Sequence, residues 1–273
     1  MTDRYGVIGH PIAHSKSPVI HRQFATQTRQ DLSYEAFDIA PDELTQELNT
    51  LIESGVKGLN VTVPHKNAVA DLIDELSERA RRAGAVNTIS IDHNGAMKGD
   101  NTDGIGLIRD LTKNLDIKLE NQRLLILGAG GATRGIVQPL LEAGSASLHI
   151  ANRTVQKAKD LAEQFADCDN ISACRFDELR ELQFDLIINA TSAGLSGEVP
   201  PFPESIIDAD VTCYDLSYSM SDTPFCAWAR EHGAAVAHQG WGMLVEQAAE
   251  SFLIWRGVRP DTAQIRSMLP KSH

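Results

Sequence analysis

The chain has 273 residues, a formal net charge of −12 and an apolar content of 42%. That apolar fraction is ample for buried cores and excludes a disordered tail protein, and the length fits one large domain or two medium ones. The acidity excludes a good electrostatic match to nucleic acid or to an anionic membrane, but not to a small anionic ligand that feels a local field.

Strands alternate with helices almost throughout, the pattern of an α/β fold. Tyr5–Gly9 reads as a short strand, and Ser17-Pro18 opens a helix with Ser17 as N-cap and the proline in the first turn. Tyr34–Ile39 is a strand, Pro41–Ser54 an amphipathic helix ended by Gly55, and Gly58–Val63 a strand stopped by Pro64. Helical stretches run through Arg82, and Val86–Ile91 and Gly95–Lys98 read as a hairpin turned at Asn94-Gly95. A long helix is predicted from Asp103 to Leu115, then a buried parallel strand over Arg123–Leu127, a glycine cluster and a helix to Glu142. A strand at Ala146–Ala151, a helix at Val155–Phe165 and strands at Phe184–Asn189, Val211–Leu216 and Ala234–Ala237 continue the series, and Met243–Arg256 is the last long helix. The block 104–240 has the rhythm of a Rossmann sheet. Residues 1–103 form a separate α/β unit, completed by 241–273 if the last helix packs back on it.

No segment has the apolar length to cross a bilayer, and the N-terminus MTDRYGVIGHPIAHSKSP lacks the apolar core of a secretory signal, so a cytoplasmic location is expected. The cysteines Cys168, Cys174, Cys213 and Cys226 form no CxxC pair and are expected to be reduced thiols; Cys213 and Cys226 sit in apolar surroundings and read as packing residues. His10, His14 and His21 could align on a metal only within one helix, which Pro11 and Pro18 interrupt, so no metal site is expected. His65 stays unassigned.

Gly128-Ala129-Gly130-Gly131-Ala132 follows an apolar strand and opens a helix, the context of a dinucleotide site. Glycines let the backbone approach a pyrophosphate, and the helix N-terminus supplies free N–H groups and a positive dipole end. The third glycine position of GxGxxG is Thr133, so helix–strand packing must differ there. At the end of the second strand stands Asn152-Arg153-Thr154, with no carboxylate to repel a ribose 2′-phosphate. Arg153 can pair with that phosphate, and Asn152 and Thr154 can donate hydrogen bonds, which favours NADP over NAD.

Three polar clusters exceed what a core needs. Ser15-Lys16-Ser17-Pro18 can cap a helix or bind a carboxylate with the help of the dipole, and spacing does not separate the two. In Asn60-Val61-Thr62-Val63-Pro64-His65-Lys66, strand alternation puts Asn60 and Thr62 on one face and Lys66 just past the end. Gly84-Ala85-Val86-Asn87-Thr88 and Gly99-Asp100-Asn101-Thr102-Asp103-Gly104 return beside it, with Asp103 also a candidate helix N-cap. Amides, hydroxyls, one lysine and one carboxylate are the equipment for holding a polyhydroxylated substrate and moving one proton.

SKSP, NVTVPHK, GAVNT, GDNTDGIG, GAGGA, NRT and the GxxMLVxQA pattern, present as Gly240-Trp241-Gly242-Met243-Leu244-Val245-Glu246-Gln247-Ala248, occur in this order over residues 5–260. The chain thereby resembles the NADP-dependent shikimate dehydrogenase family. The resemblance implies reversible NADPH-linked reduction of 3-dehydroshikimate to shikimate, a step of aromatic amino-acid biosynthesis. It also implies the fold: an N-terminal substrate domain, a Rossmann NADP-binding domain, and a final helix returning to the first domain. By the same resemblance Ser15, Lys16 and Ser17 bind the substrate carboxylate with Tyr218 assisting. Asn60, Thr62, Asn87 and Gln247 hold ring hydroxyls, and Lys66 and Asp103 are the catalytic pair. Gly128, Ala129, Gly130, Gly131 and Ala132 hold the pyrophosphate, and Asn152, Arg153 and Thr154 the 2′-phosphate. Glu78, Leu216, Gly240 and Met243 match positions close to the cofactor, though Leu216 and Met243 suit a core equally well. Many relatives carry a proline soon after the tyrosine, whereas Tyr218 is followed by Ser219-Met220-Ser221-Asp222-Thr223 before Pro224, so the loop shape there is open. The expected partner is a small molecule, not nucleic acid or membrane; the oligomeric state, a homodimer included, is beyond the sequence. Quinate as substrate also stays open, whereas the presence of both Lys66 and Asp103 speaks against a catalytically silent NADP-binding regulator.

Overall fold

The structure, a computed structural model, describes residues 2–268. Positions 269–273 of the expected first domain, and residue 1, lie outside them. The chain divides into two compact units, one running up to Gly106 and resuming at Val245–Arg266, the other covering Leu107–Leu244 and taking up the chain again at Ser267.

The first unit is built from β1 (Asp3–Gly9), α1 (Ser17–Thr28), β2 (Leu32–Asp38), α2 (Leu44–Glu53), β3 (Val56–Val61), α3 (Lys66–Ala70), β4 (Glu75–Leu76), α4 (Glu78–Ala83), β5 (Thr88–Ile91) and β6 (Met97–Asp100), with α5 (Asp103–Arg109) leading out of it. Its sheet has the order β2-β1-β3-β5-β6-β4, with β2, β1 and β3 parallel and β5 antiparallel to both neighbours. Successive residues of β1 face opposite sides: Tyr5 and Val7 pack with Ile12 and Tyr34, while Ile8 joins Leu59, Val61 and Ile89 on the other face. Leu44, Leu48 and Leu51, spaced as one stripe of α2, close that second face.

The second unit contains β7 (Arg123–Leu127), α6 (Gly131–Glu142), β8 (Ser147–Ala151), α7 (Val155–Glu163), β9 (Ile171–Cys174), β10 (Leu186–Asn189), β11 (Thr212–Asp215), α8 (Pro224–Glu231) and β12 (Val236–Gln239). The strands are all parallel in the order β12-β11-β10-β7-β8-β9, the doubly wound nucleotide-binding order. Leu124 and Ile126 enter one core layer and Leu125 and Leu127 the other, which is why β7 is a continuous apolar run. Cys213 and Cys226 are fully buried in the second layer, and burial pushes their thiols up to about 12 and about 11.

The long helix α9 (Trp241–Arg256) starts in the second unit and from Val245 onward belongs to the first, followed there by α10 (Ala263–Arg266). Trp255 donates from Nε1 to the Ile89 carbonyl at 3.0 Å and stacks obliquely on Tyr5, with ring centroids 4.8 Å apart. Gly58 makes room for it, since a Cβ there would lie 2.5 Å from Trp255 Nε1. Among the described residues no helix is long and apolar enough to cross a membrane.

Several expected boundaries shift for identifiable reasons. Lys16, not Ser17, holds the cap position of α1; Ser17 is the first helical residue, and the Ser15 hydroxyl accepts its N–H at 3.3 Å. Pro41 and Asp42 are spent in a turn closed by Glu43 N–H on the Ala40 carbonyl, so α2 starts at Leu44. The Asn94-Gly95 hairpin has a five-residue loop, because Asp92 Oδ1 accepts the N–H groups of Asn94 and Ala96 and folds the connection around itself. The predicted helix from Asp103 to Leu115 widens after Arg109 into a π turn over Asp110–Asn114. β4, β9, α8 and α10 were not expected.

Candidate active site

In the first unit, Lys66 is the first residue of α3 and Asp103 the first residue of α5. Lys66 Nζ stands 2.5 Å from Asp103 Oδ2, with both side chains largely shielded from solvent. Asp103 therefore spends its side chain on the lysine, not on capping α5. His65, unassigned from sequence, is buried beside Lys66 with Nε2 2.7 Å from the Ile39 carbonyl. A carbonyl only accepts, so Nε2 carries the proton, and the bond ties the start of α3 to the chain just after β2.

Asn87 donates from Nδ2 to the other Asp103 oxygen at 2.7 Å and also reaches Gln247 Oε1 at 3.2 Å. Its Oδ1 accepts the Thr102 N–H at 2.8 Å. The loop carrying Thr102 and Asp103 is anchored upstream. Burial raises the Asp100 carboxyl, but the Arg79 guanidinium at 2.5 and 2.9 Å, with Ser77 and the Asn101 N–H, outweighs that and leaves it below the usual range. Asn101 in turn binds the Ala85 carbonyl through Nδ2 and the Asp103 N–H through Oδ1.

Asn60 is buried on β3, its Oδ1 accepting the Tyr34 hydroxyl at 2.7 Å and its Nδ2 facing the Asn87 carbonyl, Thr88 and Ser251. Thr62 lies just past the strand, half-buried, donating its N–H to the Ile8 carbonyl. Ser17 is buried beside Tyr34, while Lys16 is exposed. Thus Lys66, Asp103, Asn60, Asn87 and Gln247 are joined in one hydrogen-bonded cluster of the first unit. Tyr218 belongs to the second unit, where its ring lies 5.5 Å from that of Trp241.

His21 stacks on Tyr34 at 4.2 Å with the ring planes nearly parallel. It is buried, and burial pushes its imidazole down to about 3, so it folds as the neutral ring. The unfolded chain, with an ordinary histidine near 6.5, binds the extra proton first. Stability from this ring is therefore complete above about pH 6.5 and lost as pH falls toward 3, at roughly 1.4 kcal/mol per pH unit inside the window. His21→Phe should flatten the acid side of the stability curve by that slope; urea unfolding of both proteins at about pH 6.5 and pH 4.5 measures it, and equal slopes would discard the assignment. His10 goes elsewhere: its Nδ1 is 2.8 Å from Asp38 on the surface.

In the second unit, Gly128 leaves β7 with φ of +106°, a conformation that favours glycine, and its position is hemmed in by the Ala190 backbone. Gly130 occupies the N-cap of α6 without a side chain, so the first-turn N–H groups have no capping oxygen from it. Thr133 explains the departure from three glycines: it is fully buried and donates from Oγ1 to the Gly128 carbonyl at 3.0 Å, bracing the loop. Ala151 ends β8, and Asn152 Nδ2 donates to the Thr154 carbonyl at 2.8 Å, shaping the turn into α7. Arg153 and Thr154 are exposed, and Arg153 makes no ion pair among the described residues. Leu216 follows β11 and packs on the core, Met243 is buried in that core, and Gly240 passes so close to Leu216 that a Cβ would lie 2.3 Å from its carbonyl oxygen. Glu78 is the exception in the proposed cofactor group: it stands exposed at the start of α4 in the first unit.

A donor-rich cluster with one ammonium–carboxylate pair, and a separate sheet with a glycine loop at its switch point, match known sequence families. The shikimate dehydrogenase substrate-binding domain matches residues 7–89, the shikimate/quinate 5-dehydrogenase domain residues 110–196, and the shikimate 5′-dehydrogenase C-terminal domain residues 240–267. The chain belongs to the shikimate dehydrogenase family. A curated shikimate dehydrogenase (NADP(+)) from Alkalilimnicola ehrlichii is 52% identical over 269 residues, covering 98% of this chain and 99% of that protein. Among solved structures, an Ael1 enzyme from Pseudomonas putida superposes with a TM-score of 0.91 at 43% identity, covering 99% of both chains. The shikimate 5-dehydrogenase of Thermus thermophilus, solved in complex with NADP(H) and shikimate, gives 0.86 at 34% identity, over 97% of this chain and 98% of that one.

Within this shikimate dehydrogenase fold, sequence reading missed Tyr34 and Ser251 and gave Thr88, named in its polar cluster, no role; all three bind the side chains of Asn60 or Asn87. One signal was available: Ser251 is four residues past Gln247 and so shares its helix face.

Proposed function

We propose that this chain catalyses the reversible NADPH-dependent reduction of 3-dehydroshikimate to shikimate, in the route to chorismate and the aromatic amino acids. The 2.5 Å contact between Lys66 Nζ and Asp103 Oδ2, inside a cluster of amides and hydroxyls, carries this reading. We assign substrate binding and catalysis to residues 1–103 with 241–273, and NADP binding to 104–240.

The second unit fits a phosphorylated dinucleotide. Gly128 and Gly130 leave room for a pyrophosphate at the start of α6, and Arg153 with Asn152 and Thr154 offers a cation and donors where a 2′-phosphate lies. Bound there, the reduced dinucleotide supplies the hydride. Negative charge then develops on the C3 oxygen of the substrate, and a protonated Lys66 stabilises it and donates the proton. Asp103 orients the ammonium through Oδ2 and is itself held through Oδ1 by Asn87. Ser15, Lys16 and Ser17, with Tyr218, take the substrate carboxylate; Asn60, Thr62, Asn87 and Gln247 take ring hydroxyls. Glu78, Leu216, Gly240 and Met243 flank the cofactor.

The test mixes purified protein with NADP or NAD and with shikimate or quinate, and follows reduced-cofactor absorbance. Turnover of shikimate with NADP is expected; no turnover with any pairing would overturn the function. Arg153→Asp should raise the KM for NADP on the order of 100-fold while leaving that for NAD within about threefold, because it exchanges a charge-assisted phosphate contact for repulsion. Equal weakening of both cofactors would remove Arg153 from phosphate recognition.

The net charge of −12 supports a small-molecule partner in place of nucleic acid, and the four unbridged cysteines support a cytoplasmic location. Sedimentation would distinguish a monomer from a homodimer.

A further inference from the structure

We propose that Thr88 and Ser251 are positioning residues for the Lys66–Asp103 pair, acting through the Asn87 amide. This deepens the shikimate dehydrogenase reading and rests on it.

The direction of each hydrogen bond can be deduced. The Thr102 backbone N–H can only donate, so the Asn87 atom 2.8 Å from it is the amide oxygen. The amide nitrogen consequently faces Asp103 Oδ1 at 2.7 Å. A flipped amide would set oxygen against carboxylate and N–H against N–H. The Thr88 hydroxyl donates its single proton to the same amide oxygen at 2.9 Å, a second restraint on the plane. With that proton committed, Thr88 Oγ1 can only accept from Ser251 Oγ, 2.7 Å away. Ser251 Oγ accepts in turn from Asn60 Nδ2 at 3.0 Å.

The result is a one-way series of donors. Ser251 donates to Thr88, Thr88 to Asn87, and Asn87 to Asp103 Oδ1, leaving Oδ2 to the lysine. Thr88 and Ser251 are fully buried and Asn87 and Asp103 nearly so, which makes each link stronger and each missing partner costlier than in water. Lys66 has a long, flexible stem, so the carboxylate that receives it must be fixed from behind. Ser251 brings this restraint from α9; its one hydroxyl proton has two acceptors, Thr88 Oγ1 at 2.7 Å and the backbone carbonyl of Gln247 one turn earlier at 3.1 Å, and the shorter contact is the one that continues the series.

Thr88→Val keeps the shape and removes only the hydroxyl. It is expected to lower kcat by about 10- to 100-fold, the scale of an ångström-level misplacement of reacting groups, with the KM for NADPH unchanged within about twofold. Thr88→Ser, which restores the hydroxyl, should recover kcat to within about threefold of wild type. The deciding measurement places Thr88→Val on Lys66→Ala: a residue that works through the pair adds no further loss there, whereas a merely structural one multiplies the loss. Ser251→Ala, which removes one oxygen atom, should lower kcat by about 10-fold and be silent on Lys66→Ala; it carries the same test if Thr88→Val does not fold. An active wild type with normal kcat in both variants, or with multiplicative losses on Lys66→Ala, overturns the positioning role alone. A wild type without turnover overturns the function and the role together.

Discussion

Lys66→Ala should lower kcat by about 10²–10⁴-fold, the range for removal of a general acid–base, with little change in substrate affinity. The geometry gives the reason for the split. Lys66 is bonded to Asp103, and the groups proposed to hold the substrate are other side chains, so truncating the lysine removes charge stabilisation where the oxyanion develops but leaves the binding contacts in place. Steady-state rates in both directions separate kcat from KM. Turnover within about threefold of wild type would exclude Lys66 from proton transfer. A large rise in KM with normal kcat would assign it to binding instead.

Gly242→Ala should destabilise the protein by about 3 kcal/mol, although alanine is the better helix former. A Cβ at Gly242 would lie 2.0 Å from Oδ1 of Asp110, well inside contact distance. That carboxylate has no room to retreat: Asp110 is buried, its Oδ2 accepts the Tyr214 hydroxyl at 2.6 Å, and its Oδ1 accepts from Asn114 at 2.8 Å. Displacing it adds overpacking, at about 1–3 kcal/mol, to a buried hydroxyl that loses its acceptor, at about 1–3 kcal/mol. Burial and the facing carboxylate both push the Tyr214 phenol well above its usual range, so it remains a donor at every ordinary pH. Urea unfolding of Gly242→Ala measures the loss. Asp110→Ala introduced on Gly242→Ala should cost much less than it does alone, since the clash and the orphaned hydroxyl share one cause. Additive losses would show that the carboxylate is not what excludes a side chain at 242.

The two-unit α/β architecture was legible because its strongest signals are local. β7 is apolar on both faces and directly precedes Gly128, so strand, loop and helix announce each other within a few residues. The polar cluster was legible as composition but not as wiring. Asn60, Lys66, Asn87 and Asp103 stand in segments too polar for a core, yet nothing local says that Thr102 fixes the Asn87 amide. Ser251 escaped notice because a serine between Glu250 and Phe252 on a helix looks like a solvated position until the fold buries it. β9 was missed because four residues with two small side chains give little alternation to read. Helix α8 is a different case, because its start carries an ordinary signal. Thr223-Pro224 is a standard helix entry, with Thr223 Oγ1 accepting the Cys226 N–H at 3.2 Å, but the polar residues before it read as loop. The π turn at Asp110 had no signal at all, since it lies beside a carboxylate whose partner, Tyr214, is more than a hundred residues away.

The return of α9 to the first unit has a consequence for how the protein is made. During synthesis Gly106 leaves the ribosome long before Val245, by on the order of ten seconds at common elongation rates. In that interval Leu107–Leu244 can be completed as a unit, while the first unit waits without Trp255, Gln247 or Ser251. A nascent chain that stalls or is cut before Val245 therefore presents a finished second unit beside an unfinished first one. Its buried asparagines lack their last partners, and the strand that accepts Trp255 is left open. Catalytic competence thus waits for Val245 and the residues after it, and a copy cut short of them is expected to be cleaved faster in its first unit than the whole chain under limited proteolysis.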